Sequence, residues 1–132
     1  MSKRNWISRL LGRKGRGAAS AESAVTGALE CAVKGTALLA AARHKKALSC
    51  FERGLKIAPR DSVVRGALWH GKGVTLAKLG RHEEALACCE RSLEIDPGDG
   101  SVWASKGTVL RALGRQREAE ECSRRAQELR GG

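Results

Sequence analysis

Aromatic residues are nearly absent from this sequence. The chain of 132 residues has no tyrosine, one phenylalanine and three tryptophans, although 42% of its residues are hydrophobic. A core built from Ala, Leu, Gly and Cys has no large aromatic centre, so its helices must approach one another closely. The length is enough for one small domain.

Long hydrophobic runs are missing as well. The longest run, Ala37–Ala42, is far shorter than the ~20 residues that cross a bilayer as a helix. No apolar core of a signal peptide is found. These absences argue against a transmembrane chain.

The five cysteines form no C-x-x-C pair. We expect reduced thiols that pack in or beside the core, which favours a reducing, cytoplasmic compartment. A metal or redox role of the adjacent Cys88 and Cys89 is the alternative. No metal-ligand cluster and no His–carboxylate–nucleophile set has recognisable spacing, so we expect no metal, no cofactor, no catalytic residue and no enzyme activity.

A helical pattern that begins at Trp69 returns 34 residues later, at Trp103. Three pairs of small residues keep the same spacing: Gly73 and Gly107, Gly80 and Gly114, and Ala85 and Ala119. An upstream copy begins at Cys31. Such a period is typical of a solenoid of helix-turn-helix units.

On these residues the chain resembles the tetratricopeptide repeat family. The matching residues of the middle copy are Trp69, Gly73, Leu76, Gly80, Ala85, Cys89, Ser92 and Pro97. The resemblance implies an all-α fold, an α-solenoid of three repeats in a right-handed superhelix, and a protein-interaction function. We expect the repeats at about residues 28–61, 66–99 and 100–130, within a domain of residues 18–130.

Helix ends follow from caps and breakers. Gly12, Gly15 and Gly17 are expected to stop any helix in the N-terminal segment, so the first repeat helix should run from near Ser20 to Ala42. Pro59 should end the second helix. In the last repeat, polar residues replace the apolar ones that would contact a further repeat, as a terminal cap requires: Glu120, Ser123 and Gln127.

Acidic residues are absent from residues 1–17, which carry +6 of the net charge of +11. This segment is either a flexible, solvated tail or an amphipathic basic anchor for an anionic membrane surface. A nucleic-acid arm and an organelle presequence stay open as well. The candidate anchor residues are Lys3, Arg4, Trp6, Arg9, Arg13, Lys14 and Arg16.

The resemblance also implies a concave groove, lined by the first helix of each repeat, that holds a peptide or a helix of a partner protein. By register its residues are Leu29, Ala32, Thr36, Leu39 and Ala40, then Ala67, His70, Val74, Ala77 and Lys78, then Ser101, Ala104, Thr108, Arg111 and Ala112. Ala32, Thr36 and Ser101 occupy three places where some family members clamp the C-terminal carboxylate of heat-shock chaperones. The groove therefore favours apolar anchors with an acidic group near Lys78 and Arg111.

Lys34, Lys72 and Lys106 each precede the small glycine of their repeat. They form either a basic ladder for an acidic partner or aliphatic stems that cover the core while the ammonium groups reach water.

The sequence thus predicts an adaptor of three repeats that is cytoplasmic, with a peripheral membrane location as a second option. The alternatives are a membrane or nucleic-acid tether acting through residues 1–17 and a small export or assembly chaperone.

Overall fold

Six α-helices make up the part of the chain that the structure describes. The computed structural model describes residues 3–131, with side chains from residue 21 onward. The helices are α1 (Lys3–Ala40), α2 (His44–Ile57), α3 (Val64–Lys78), α4 (His82–Ile95), α5 (Gly100–Ala112) and α6 (Gln116–Gly131). No strand occurs between residues 3 and 131, so the predicted all-α class is confirmed.

The helices pack as three consecutive pairs. α1 lies against α2, α3 against α4 and α5 against α6, and each pair packs onto the next. The odd-numbered helices also contact each other directly, α1 with α3 and α3 with α5, whereas α2, α4 and α6 do not touch one another. The odd-numbered helices therefore lie on the inner side of a three-repeat solenoid, where the sequence predicted the groove.

A residue with positive φ lies two positions after the end of the first helix of each pair. Gly80 and Gly114 have φ of 80° and 77°, and Ala42 has φ of 59°. The amide of Arg43 donates to the carbonyl of Leu38 at 2.8 Å, as the amide of Arg81 does to that of Leu76 at 2.9 Å. The first turn thus keeps the geometry of the others, although an alanine in this conformation is strained.

One predicted boundary is wrong. α1 begins at Lys3 rather than near Ser20 and continues through Gly12, Gly15 and Gly17. A glycine lowers the stability of a helix by about 1 kcal/mol relative to alanine but leaves its backbone hydrogen bonds available. The first proline, which would remove such a bond, is Pro59 and lies after α1. The helix end at Ala40 is two residues earlier than expected. The side chains of the candidate anchor lie outside the described residues, and the boundary between residues 17 and 18 stays a prediction.

Phe51 joins the first two repeats. Its ring is 1% exposed and lies between two glycines, Gly35 of α1 and Gly71 of α3. A Cβ atom added at Gly35 would be 2.7 Å from the ring, and one added at Gly71 would be closer still. The one phenylalanine of the chain therefore fits only because its neighbours Gly35 and Gly71 have no side chains.

The outer face of α6 is polar, as predicted for a terminal helix. Leu86, Cys89 and Leu93 are buried in α4, whereas the equivalent Glu120 and Gln127 of α6 are exposed and Ser123 is half-buried. Because these positions in α4 are covered by the next repeat, the same positions in α6 are suited to contact with water.

We expect Phe51→Ala to lower the free energy of unfolding by about 3–5 kcal/mol. The substitution leaves a cavity between Gly35 and Gly71, which have no side chains that could fill it. Urea unfolding followed by circular dichroism measures the loss. Val63→Ala is the control, since Val63 is 81% exposed and should change stability by no more than about 0.5 kcal/mol. Equal losses in the two variants would contradict the role given to Phe51.

Candidate functional site

The predicted groove residues all lie on α1, α3 and α5, and none is fully buried. Five of them, Val74, Ala77, Lys78, Thr108 and Ala112, line one cavity of about 250 Å³ between α3 and α5, which His82 and Cys89 of α4 also border. The structure therefore brings together the predicted groove residues that lie near the carboxyl ends of α3 and α5, in the second and third repeats.

The other groove residues lie outside this cavity. Ala32 and Leu39 pack against the core of the first repeat, and Leu29 is 48% exposed. Three more are exposed on the same helices: Thr36, Ala67 and Ser101. Ala104 is half-buried and Arg111 is exposed. Their part in a groove stays a prediction.

Charge at the cavity comes from one residue. Lys78 is exposed, whereas most of the lining is apolar or uncharged: Val74, Ala77, Cys89, Ser105, Thr108, Val109 and Ala112, together with His82. No carboxylate is among these lining residues. A ligand would thus meet an apolar hollow with a cation at its rim, and hydroxyl groups from α5.

Ser105 is a cavity residue that the sequence analysis missed. Its hydroxyl group lies 2.8 Å from Nε2 of His70 and joins α5 to α3 across the repeat boundary. The two residues are 35 positions apart, and the pairing depends on how one repeat is rotated on the next. A serine three residues before Thr108 on the same helix face was the available signal.

His70 stays uncharged to a lower pH than an ordinary histidine. Burial lowers its pKa, and the negative charge of Asp99 opposes this more weakly. Asp99 is fixed because its side chain accepts a hydrogen bond from the amide of Ser101 at the start of α5. The imidazole therefore acts at neutral pH as an uncharged hydrogen-bonding group.

Comparison with known proteins identifies the repeats. Two family models of the tetratricopeptide repeat match the chain, at residues 67–99 and 88–121. Residues 67–121 are therefore tetratricopeptide repeats (TPRs). The first repeat is matched by neither model, but α1 and α2 pack against each other as the later pairs do.

Solved TPR structures share the fold. The second TPR domain of Spaghetti (RPAP3), bound to the HSP90 peptide SRMEEVD, has a TM-score of 0.70 and 21% identity over 78% of this chain and 92% of that one. The second TPR domain of human RPAP3, in complex with the HSP70 peptide SGPTIEEVD, has a TM-score of 0.70 and 19% identity over 85% and 88%. The Sgt2 TPR domain of Aspergillus fumigatus has a TM-score of 0.70 and 21% identity over 80% and 67%. No curated protein matches the chain.

Two of the three lysines that precede the repeat glycines lie over tryptophan rings. Nζ of Lys72 is 5.4 Å from the ring centroid of Trp69, and Nζ of Lys106 is 5.4 Å from that of Trp103. This geometry gives a cation–π attraction. The ammonium groups are therefore held on the TPR surface by the indoles, a contact that neither hypothesis for these lysines included.

The buried thiols are weak acids. Burial raises the pKa of Cys88 and Cys122, and raises that of Cys89 to about 12. A protonated thiol is a poor nucleophile and a poor metal ligand. In the described part of the chain, no three His, Cys, Asp or Glu side chains are placed to hold a metal ion, and no helix there is long and apolar enough to cross a membrane.

We expect the stability of this TPR protein to fall below about pH 6.5, the ordinary pKa of histidine, in part through His70. Because the folded pKa of His70 is lowered, the unfolded chain binds its proton first as the pH falls, and unfolding becomes easier. Above that pH both states are neutral and the contribution vanishes.

Urea unfolding between about pH 8 and pH 5 measures this effect, with His70→Gln as the comparison. The wild-type chain should lose more stability over this range than the variant. The same pH dependence in both proteins would show that His70 is not responsible.

Proposed function

We propose that this TPR protein is a cytoplasmic adaptor without catalytic activity of its own. It binds a peptide or a helix of a partner protein along the concave surface of α1, α3 and α5. The observation that carries this proposal is the cavity of about 250 Å³ between α3 and α5, which is mostly apolar, lined on both helices by predicted groove residues and bordered by Lys78. A hollow of this size suits one apolar side chain of a ligand rather than a whole small molecule.

The chemistry of the surface defines the ligand. An apolar anchor would enter between Val74 and Val109, while a carboxylate one or two residues away would reach Lys78 at the rim. The hydroxyl groups of Ser105, which pairs with His70, and of Thr108, which donates to the carbonyl of Ala104, line the cavity as well. Each oxygen can still accept a hydrogen bond from an amide of the ligand backbone. A charge-assisted contact at the rim would set the orientation of the peptide, and apolar burial would supply most of the affinity.

Peptides bound by the TPR neighbours fit this description in general terms. SRMEEVD and SGPTIEEVD each combine acidic residues with apolar ones. In this chain, Ala32, Thr36 and Ser101 cannot provide the cationic clamp for a terminal carboxylate. We therefore propose an internal acidic segment with an apolar anchor as the ligand class, rather than the C-terminus of a chaperone.

Charge reversal in the groove tests the proposal. Peptides of about twelve residues are selected against the intact chain from a random library, and their affinity is measured for the wild type and for Lys78→Glu/Arg111→Glu. We expect at least a tenfold loss, because the rim contact becomes repulsive.

The matched control is Lys56→Glu/Arg117→Glu, which makes the same change in net charge at exposed positions of α2 and α6. This control should bind the selected peptides as the wild type does. Equal losses in both double variants would mean that net charge, and not the groove, holds the peptide. Selected peptides with apolar residues but no preferred acidic position would favour the export or assembly chaperone.

A second candidate function is a tether through the basic segment. What favours it is the continuity of α1, which reaches from Lys3 to Ala40, so that six basic residues and Trp6 share one helix with the groove. Helical geometry places Trp6, Ile7, Leu10 and Leu11 on one stripe. Under this proposal the stripe contacts an anionic surface while the solenoid carries the partner.

Deletion of residues 1–17 separates the two functions. The intact chain should bind vesicles that contain about 30% phosphatidylserine and should dissociate at about 0.5 M salt, because each basic side chain contributes about 1 kcal/mol at such a surface. The deleted chain should not bind vesicles but should keep its affinity for the selected peptide. Vesicle binding by the deleted chain, as measured by co-sedimentation, would exclude the basic segment as the anchor.

A further inference from the structure

The first repeat lacks an aromatic ring that the other two repeats contain. Trp69 and Trp103 occupy the same repeat position on α3 and α5, and Cys31 occupies it on α1. Two basic positions beside it recur in all three repeats. Each repeat has a lysine three residues later on the same helix, and an arginine at one position of the partner helix: Arg53, Arg91 and Arg125.

In the second repeat, the two cations hold the indole. The ring centroid of Trp69 is 5.4 Å from Nζ of Lys72 and 5.6 Å from Cζ of Arg91. In the third repeat Lys106 lies over Trp103 in the same way, and Arg125 lines the adjoining cavity with both of them. The repeat is thus built to place cationic groups against one aromatic ring.

In the first repeat the two cations remain, and the cavity beside them has no aromatic ring in its wall. A cavity of about 230 Å³ lies in the seam between α1 and α2, lined by Gly27, Glu30, Cys31, Lys34, Cys50, Arg53 and Ile57. Lys34 and Arg53 stand at the positions that hold the indole in the second repeat. Cys31 is half-buried, and its short side chain leaves the seam open.

We propose that this cavity receives a tryptophan side chain from a partner protein. The ring enters between Lys34 and Arg53 and takes the place that Trp69 has in the second repeat. Tryptophan buries a large area in a small pocket, and it is enriched among the residues that dominate binding energies at interfaces. The cavity shares no residue with the one between α3 and α5, so this inference stands apart from the groove.

A carboxylate is a less suitable occupant, although two cations line the cavity. Glu30 lies in the same wall and would repel an acidic group, while Cys31, Cys50 and Ile57 offer apolar contact. An aromatic ring uses both kinds of wall, because its faces attract the cations and its edges bury against the apolar side chains. The occupied second repeat shows this arrangement within the same chain.

The test uses isoleucine methyl groups as reporters. The chain has three isoleucines, Ile7, Ile57 and Ile95, and Ile57 lines the open cavity. Ile95 occupies the equivalent position in the second repeat, where Trp69 is present. Titration of the intact, methyl-labelled chain with N-acetyl-tryptophanamide should shift the Ile57 signal with a Kd on the order of a few mM, as expected of a small ligand in one pocket.

Two variants and one second probe decide the outcome. Cys31→Trp should abolish the shift of Ile57 and raise Tm by roughly 4 °C, because its own ring then fills the seam. Val63→Trp, which adds the same side chain at an exposed position, should leave the titration unchanged. Lys34→Ala/Arg53→Ala should weaken binding about threefold or more without filling the cavity.

The contrary results are equally definite. No shift of Ile57 up to about 20 mM probe, where a site of this kind would be mostly filled, overturns the proposal. An equal shift in Cys31→Trp, with its fold verified by circular dichroism, overturns it as well. So does an equal response to N-acetyl-leucinamide, since the cavity would then accept any apolar side chain and not an aromatic one.

Discussion

Close approach of paired helices is the constraint on which this structure depends. A side chain at Gly73 would meet the carbonyl of Ala85 at 3.2 Å and Cβ of Cys88 at 3.2 Å, and Gly107 is placed in the same way against Ala119 and Cys122. Small residues at these facing positions let the backbones of the paired helices come into close contact. In the first pair, Gly35 admits the ring of Phe51, which continues to α3. A chain with so few aromatic residues can therefore bury a core, which consists of three clusters of mainly small and aliphatic side chains.

That constraint also places the candidate site. Each pair of helices packs tightly and is rotated on the next pair. As a result, α1, α3 and α5 lie side by side and leave a hollow between α3 and α5. Residues whose side chains are small, such as Ala77 and Ala112, keep the hollow open. The larger Lys78 stands at its rim, and the His70–Ser105 contact joins the two helices beside it.

Repetition makes the chain its own reference. The same position holds Trp69, Trp103 or Cys31, and the environment of each can be compared without any other protein. Where the ring is present, a lysine lies over it, and in the third repeat a cavity adjoins the pair. Where the ring is absent, Lys34 and Arg53 line a cavity without an indole. Similarly, the apolar residues of α4 that the third repeat covers become polar in α6. Differences between repeats therefore separate what the fold requires from what a partner would use.

The sequence by itself determined the helix pairs, their order and the polar end of the array, because the 34-residue spacing and the exchange of Leu86 for Glu120 are local properties of the chain. It also placed the predicted groove residues on the first helix of each pair, α1, α3 and α5; that they bind a partner stays a prediction. It did not predict the helix through Gly12, Gly15 and Gly17, since propensity alone does not say whether neighbouring residues sustain a helix. Only the tertiary structure decided that Val74, Lys78 and Thr108 share a cavity, that His70 meets Ser105 and that Lys34 and Arg53 face an open seam. These depend on the rotation between packed helices, a quantity that spacing along the chain does not contain.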